Sequence, residues 1–255
     1  MKKEKVLLAF SGGLDTSFCA MYLAKDKGYE VHTAIANTGG FSPEELKRIE
    51  ERAYRLGAKT HATLDVTQEY YDKSIKYMVF GNVLRNGTYP ISVSSERIFQ
   101  AIATIEYAKK IEADYIAHGS TGAGNDQVRF DLTFDVLAGH IKVLTPTRDM
   151  VLTREYEINY LKEHGYEADF TKMEYSINAG LWGTSIGGKE TLKSEQTLPE
   201  SAYTKQVVKK EEETITIDFE KGEIVGVNNV HYTDKIAAIN KVEELGSAFG
   251  IGRDM

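Results

Sequence analysis

The stretch AFSGGLDTS, residues 9–17, sets two adjacent glycines among Ser11, Asp15, Thr16 and Ser17. Backbone N–H groups at the start of a helix, joined by hydroxyls, make a cradle for phosphate. Gly12 and Gly13 alone would equally suit a bare strand-to-helix turn; the crowd of polar side chains is what adds chemistry. Two common phosphate-binding patterns do not fit. The dinucleotide fingerprint needs G-x-G-x-x-G, and here the glycines are adjacent. The Walker loop needs a lysine before its hydroxyl, and the stretch has none. A cradle without lysine suits a departing pyrophosphate whose charge is carried partly by Mg²⁺. Asp15 would repel phosphate directly, so it orients the loop, meets the metal, or compensates the helix dipole, worth about 0.3–1 kcal/mol.

A second stretch, HGSTGAGNDQVRFDLTF, runs from His118 to Phe134. A helix cap at Asn125 or Asp126, worth about 0.5–2 kcal/mol, explains one polar residue. It does not explain three glycines followed by Asn, Asp, Gln and Arg. A helix starting near Asn125 puts Asn125 and Arg129 on one face, with Asp126 on a neighbouring face. Such a cation and anion at one helix mouth suit a zwitterionic amino acid, its carboxylate on Arg129 and its ammonium on Asp126. Cys19, inside the first helix, reads as a buried structural thiol. The six histidines show no metal-ligand spacing, and His118 is expected to act through its neighbours at most.

These residues need a scaffold, and the pattern supplies one. Val6–Phe10 is a short apolar run bounded by glycine, hence a buried strand. Thr16–Lys27 suits a helix stopped by Gly28 at C′. Val31–Ala36 is the next strand. Ser42 and Glu45 form a capping box with Pro43 between them, starting a helix that runs to Leu56 and ends at Gly57. Thr60–Val66 is strand-like, Gln68–Met78 helical, Ser95–Ile111 a long helix and Asp114–Gly119 a strand. This alternation predicts an α/β fold, a parallel twisted sheet with helices on both faces. Ligands of such sheets lie beyond the carboxyl ends of the strands, where Ser11–Ser17, Asn37–Phe41 and Gly119–Asp126 all fall. After about Tyr175 the character changes. TITIDFEKGEIVGV reads as a hairpin turning at Lys221 and Gly222, and Thr233–Leu245 as a last helix. A boundary near residue 170 divides a first domain, 1–170, from a smaller α+β domain, 171–255.

Bulk properties exclude several classes. Thirty-eight acidic residues against 31 Lys and Arg give a net charge of −7, which disfavours nucleic-acid binding. A single cysteine excludes an internal disulfide framework and fits a reducing compartment. VLLAF, after the basic start, is too short for a signal-peptide core or a membrane span, so a cytoplasmic protein without a membrane partner is expected.

SGGLDTS resembles the pyrophosphate loop of the ATP-pyrophosphatase superfamily, whose members cleave ATP between the α and β phosphates. AFSGGLDTS together with AHGSTGAGNDQVRF resembles the argininosuccinate synthase family, and the likeness runs through nearly the whole chain. The resemblance implies an adenine nucleotide alpha-hydrolase-like first domain and part of a synthetase domain. It implies a ligase of arginine biosynthesis that joins citrulline to aspartate through citrullyl-AMP, with ATP as substrate and Mg²⁺, releasing AMP and pyrophosphate. Carried over by position, ATP contacts fall on Ala9, Phe10, Ser11, Gly12, Gly13, Leu14, Asp15, Thr16, Ser17, Ala34 and Gly119. Aspartate contacts fall on Thr121, Asn125 and Asp126. Citrulline contacts fall on Tyr89, Ser94, Asn125, Arg129, Ser176 and Ser185. Asp15, Asp126 and Arg129 are the expected catalytic residues, and no protein metal site is expected. A homotetramer is implied as well.

From the residues alone, Tyr89, Ser94, Ser176 and Ser185 read as surface turn chemistry. Family chains continue beyond GIGRDM, so these 255 residues are expected to form part of such a chain. Ala123 stands where some family loops carry Lys. Two other readings stay open: a relative that adenylates a different acceptor, and an ATP-binding module without catalysis. A tRNA-modifying relative should show a basic face or added cysteines, which the net charge and the lone Cys19 oppose.

Overall fold

Val6, Leu7 and Leu8, at the centre of strand β1 (Lys5–Ala9), are all fully buried, as an apolar run covered on both faces must be. In the computed structural model, which describes residues 3–122, 124–170, 175–193 and 195–253, strand and helix then alternate. They are α1 (Leu14–Lys25), β2 (Glu30–Asn37), α2 (Pro43–Arg55) and β3 (Thr60–Asp65). Two short helices, α3 (Thr67–Tyr70) and α4 (Lys76–Phe80), flank a π-helical turn at Tyr71–Ile75. Next come α5 (Ser92–Lys110), β4 (Tyr115–Ala117), α6 (Asp126–Ala138) and β5 (Lys142–Leu144). Helices α7 (Pro146–Asp149) and α8 (Arg154–Glu163) precede the hairpin of β6 (Ser176–Gly180) and β7 (Gly183–Gly187). The last elements are β8 (Ile217–Glu220), β9 (Glu223–Val227), β10 (Val230–His231) and α9 (Lys235–Ser247).

The chain divides into two compact units, Met1–Val66 with Ser94–Glu174, and Thr67–Val93 with Tyr175–Met255. Residues 171–174, beside the boundary expected from sequence, lie outside the described residues, as does Ala123.

In the first unit the sheet order is β3-β2-β1-β4-β5, every pair parallel. Alternation along β1 divides the core in two. Val6 and Leu8 pack with Phe18 of α1, Ala53 of α2 and Leu161 of α8. Leu7 packs on the other face with Ala101 and Ile105 of α5 and Phe130 and Phe134 of α6. The chain winds outward from β1 to β3, then returns to β1's other side as β4. That reversal opens a crevice between the β1 and β4 ends.

Local signals set several element ends. Ser42 Oγ accepts from the Glu45 N–H at 3.2 Å, and Glu45 Oε2 accepts from the Ser42 N–H at 2.8 Å, with Pro43 opening α2. Helix α1 stops earlier than Gly28 suggests. The Asp26 and Lys27 N–H groups both turn back to the Tyr22 carbonyl, at 2.9 and 3.1 Å, so the helix closes at Lys25. Gly28 takes a left-handed φ of 72° beyond that closure. Asn125 stands at the cap position of α6, but its side chain makes no capping bond.

In the second unit β8 and β9 pair antiparallel and turn on Lys221 and Gly222, with φ of 50° and 84° as a tight primed turn requires. Helix α9, capped by Asp234, packs against β9.

Candidate nucleotide and amino-acid site

The glycine turn leaves β1 at its carboxyl end. Gly12 has φ of 75°, a conformation that a β-carbon would strain. The Gly13 N–H reaches Ser11 Oγ at 3.3 Å, Ser11 Oγ lies 3.3 Å from Thr16 Oγ1, and Ser17 Oγ donates to the Gly13 carbonyl at 2.7 Å. Gly13 holds the cap position of α1 in an extended conformation, with no side chain capping the helix. The first-turn N–H groups therefore remain available to an anion. Phe10, Leu14, Ser17 and Ala34 are buried, so a ligand there would meet their backbone rather than their side chains.

Asp15 is engaged by α8. Its carboxyl hydrogen-bonds that of Glu157, a buried residue of α8. Burial first, and then the Asp15 charge, push the Glu157 carboxyl well above the usual carboxylate range. Thr147 Oγ1 lies 3.2 Å from Glu157 Oε1 and 3.4 Å from Cys19 Sγ. Burial pushes the Cys19 thiol up to about 12, which leaves it a structural thiol as its place in the helix suggested.

The second glycine-bearing loop leaves β4 and meets the first. A β-carbon placed on Gly119 would lie 3.1 Å from the Thr16 nitrogen and 3.1 Å from the Asp15 carbonyl carbon. Two strands that neighbour each other at the sheet's reversal thus bring their loops into contact. His118 braces the second loop from inside. Its Nδ1 accepts the Ser120 N–H at 3.2 Å, which leaves Nε2 to donate to Asp131 Oδ1 at 2.9 Å. Burial lowers the His118 pKa, so the ring is held neutral. Partial burial works against the Asp131 charge, yet bonds from Arg148 and His118 hold that carboxyl below its ordinary range.

At the mouth of α6 the expected cation and anion are paired with each other. Arg129 Nη1 binds Asp126 Oδ1 at 2.7 Å, and Arg129 Nη2 donates to Ser94 Oγ at 3.0 Å. Asp126 Oδ2 takes a second guanidinium, Arg97 Nε, at 3.0 Å. Glu96, the residue before Arg97 on α5, is buried and accepts from Thr38 Oγ1 at 2.8 Å. Adjacent residues of α5 therefore tie the loop after β2 and the start of α6 to one helix. Thr121 and Asn125 are exposed beside them.

Residues 5–167 match the family model described as the arginosuccinate synthase N-terminal HUP domain. The chain belongs to the argininosuccinate synthase family. It is 38% identical over 250 residues to the argininosuccinate synthase of Methanocaldococcus jannaschii, covering 97% of this chain and 62% of that relative. The corresponding protein of Sulfurisphaera tokodaii is 38% identical over 98% of this chain and 63% of its own length. That of Aquifex aeolicus is 37% identical over 99% of this chain and 64% of its own length. The chain thus spans under two thirds of these argininosuccinate synthases.

The three remaining positions to which the family resemblance pointed lie in the second unit. Ser176 and Ser185 are exposed on the β6–β7 hairpin, opposite Gly187 and Asn178. Tyr89 is half-buried and bridges to Arg85, and the next residue, Pro90, accepts from Trp182 Nε1 at 2.9 Å at that hairpin's turn. Residues of the site that the sequence reading missed are Arg97, Glu96, Glu157 and Arg52, whose Nη1 donates to the Gly12 carbonyl. Arg97 had one available signal: it lies in the first turn of the expected helix Ser95–Ile111, three residues after Ser94, which immediately precedes that helix.

Proposed function

We propose that this chain supplies the ATP, citrulline and aspartate sites of an argininosuccinate synthase, which joins the two amino acids and releases AMP and pyrophosphate. The contact of Gly119 with the Asp15–Thr16 backbone supports this reading most strongly, because it sets both glycine-bearing loops on one rim. ATP, as its Mg²⁺ complex, lies with its β and γ phosphates against Ser11–Ser17 and its α-phosphate toward Gly119. The ureido oxygen of citrulline attacks the α-phosphorus, the bond to the β-phosphate oxygen breaks, and pyrophosphate leaves toward the uncapped start of α1. In the citrullyl-AMP so formed, the ureido carbon is electrophilic. The aspartate amine attacks it, AMP departs, and the amine loses its proton.

No covalent enzyme intermediate is required, since three bound reactants supply proximity and the glycine turn stabilises the leaving charge. Thr121, Asn125 and Asp126 hold aspartate, while Asn125, Arg129 and Ser94 hold citrulline; the family likeness alone adds Tyr89, Ser176 and Ser185 as citrulline positions. Substrates must exchange the Arg129–Asp126 pair for bonds to themselves, and Arg97 keeps Asp126 in place while they do. Asp15, through its bond to Glu157, orients the start of α1. The family likeness supports a cytoplasmic homotetramer.

The test is release of pyrophosphate from MgATP. Release that requires citrulline, and that continues beyond one equivalent per chain only when aspartate is also present, supports the proposal. Release with a different acceptor favours another adenylating enzyme, and ATP binding without release favours a binding module.

A further inference from the structure

The glycine turn contains no cation of its own, yet the fold brings one to it. Arg52 lies near the end of α2, and side chains on a helix lean toward its N-terminus, here the rim of the sheet. Its half-buried guanidinium donates through Nη1 to the Gly12 carbonyl. Ile49, nearly one turn earlier, packs under the same glycine; a β-carbon on Gly12 would lie 3.2 Å from Ile49 Cγ1 and 3.6 Å from Arg52 Nη1. Among the described residues no carboxylate lies within 4.0 Å of the Arg52 guanidinium. A guanidinium carries five N–H donors, and one of Arg52's is used. A half-buried positive charge, aimed at a phosphate-type turn and left without a counter-ion, is matched to an anion that arrives from outside.

We propose that Arg52 is the cation of the glycine turn and binds the pyrophosphate portion of ATP, keeping Nη1 on the Gly12 carbonyl while its other N–H groups take phosphate oxygens. The planar fork of arginine suits such two-point contact with phosphate. The inference rests on the reading of this turn as the ATP site and adds a residue from a different helix to it. It also explains how a loop without lysine holds a leaving group of high negative charge.

Calorimetric titration of the whole chain with inorganic pyrophosphate plus Mg²⁺, with MgATP, and with AMP tests it. Arg52→Gln is expected to weaken pyrophosphate and ATP about tenfold or more, the scale of a lost charge-assisted bond, and to leave AMP within about twofold. Unchanged pyrophosphate affinity overturns the proposal, and so does an equal loss for AMP, which would mark Arg52 as a prop for the turn. A second measurement needs no variant: modification of Arg52 in the unaltered chain by phenylglyoxal, followed by mass spectrometry. Pyrophosphate is expected to slow it and AMP to leave it unchanged; absence of protection overturns the proposal. An unaltered chain that binds neither ATP nor pyrophosphate overturns the nucleotide site itself, and Arg52's role falls with it. Binding that survives Arg52→Gln removes Arg52 alone.

Discussion

Gly119 lies against the backbone of Thr16 so closely that a β-carbon on the glycine would stand 3.1 Å from the Thr16 nitrogen. Of the three atoms at this distance, Thr16 Cγ2 belongs to a side chain, but the Thr16 nitrogen and the Asp15 carbonyl carbon are main chain in the first turn of α1, and these do not yield without moving the helix start. Gly119→Ala is therefore expected to separate the two loops, at a cost of about 1–3 kcal/mol typical of overpacking. ATP affinity should fall about tenfold or more while the sheet persists. Titration with ATP, paired with circular dichroism, checks this; unaltered ATP affinity would show that the loops do not share a ligand.

Asp126 is gripped by Arg97 and Arg129 on opposite oxygens. Asp126→Ala should reduce the use of aspartate by tenfold or more, on the scale of about 1.5–3 kcal/mol for a charged hydrogen bond, and leave ATP affinity nearly intact. Asp126→Asn, which keeps an acceptor for one arginine, should fold better and lose aspartate use as well. The measurement is the rate of pyrophosphate release against aspartate concentration. An unchanged aspartate dependence would remove α6 from the amino-acid site.

Glu157 links the site to pH. Its carboxyl is raised in the fold above the ordinary value of 4.5, by burial and then by Asp15. The folded state therefore holds a proton that the unfolded chain has released. Between 4.5 and the raised value the native state binds more protons, so stability falls as pH rises through that window. Glu157→Gln keeps a donor toward Asp15 without the titration. Melting temperatures from about pH 5 to about pH 8 should decline more steeply for the unaltered chain than for this variant. Parallel curves would contradict the raised Glu157 carboxyl.

Ser42→Ala removes both the acceptor for the Glu45 N–H and the hydroxyl held by Glu45 Oε2. The expected loss is about 1 kcal/mol, a fall of roughly 2–4 °C in melting temperature for a chain of this size. Thermal unfolding reads it directly. Because α2 also carries Arg52 to the glycine turn, pyrophosphate affinity is expected to weaken slightly in the same variant.

What could be read from the residues was local, and what could not was made by closure of the sheet. Ser42, Pro43 and Glu45 announce a helix start within four positions, and Lys221–Gly222 announces a hairpin within two. The glycine-bearing loops at the ends of β1 and β4 were legible because glycine and hydroxyl spacing is local too. Strand β5 escaped because it lies at the sheet's edge with none of its three residues buried, so it carries no buried apolar run, whereas the equally short β4 does. The end of α1 is decided by where the Asp26 and Lys27 N–H groups turn back, which Gly28 marks only loosely. Arg97 meets Asp126 across 29 residues, and Arg52 meets Gly12 across 40. Glu157 meets Asp15 from α8, far along the chain. No spacing rule connects such pairs; the doubly wound sheet does. For Tyr89, Ser176 and Ser185 the residues themselves carried no signal, and only the family resemblance pointed to them.

The central claim is that the turn at Ser11–Ser17 and the loop from Gly119 to Asp126 hold one nucleotide and its acceptor between them. A crystal structure of the chain with MgATP and citrulline tests it most directly. The account predicts the β and γ phosphates on the glycine turn, with citrulline at Arg129 close enough to face the α-phosphorus. Nucleotide bound away from either loop, or citrulline on a different face of the sheet, would contradict it.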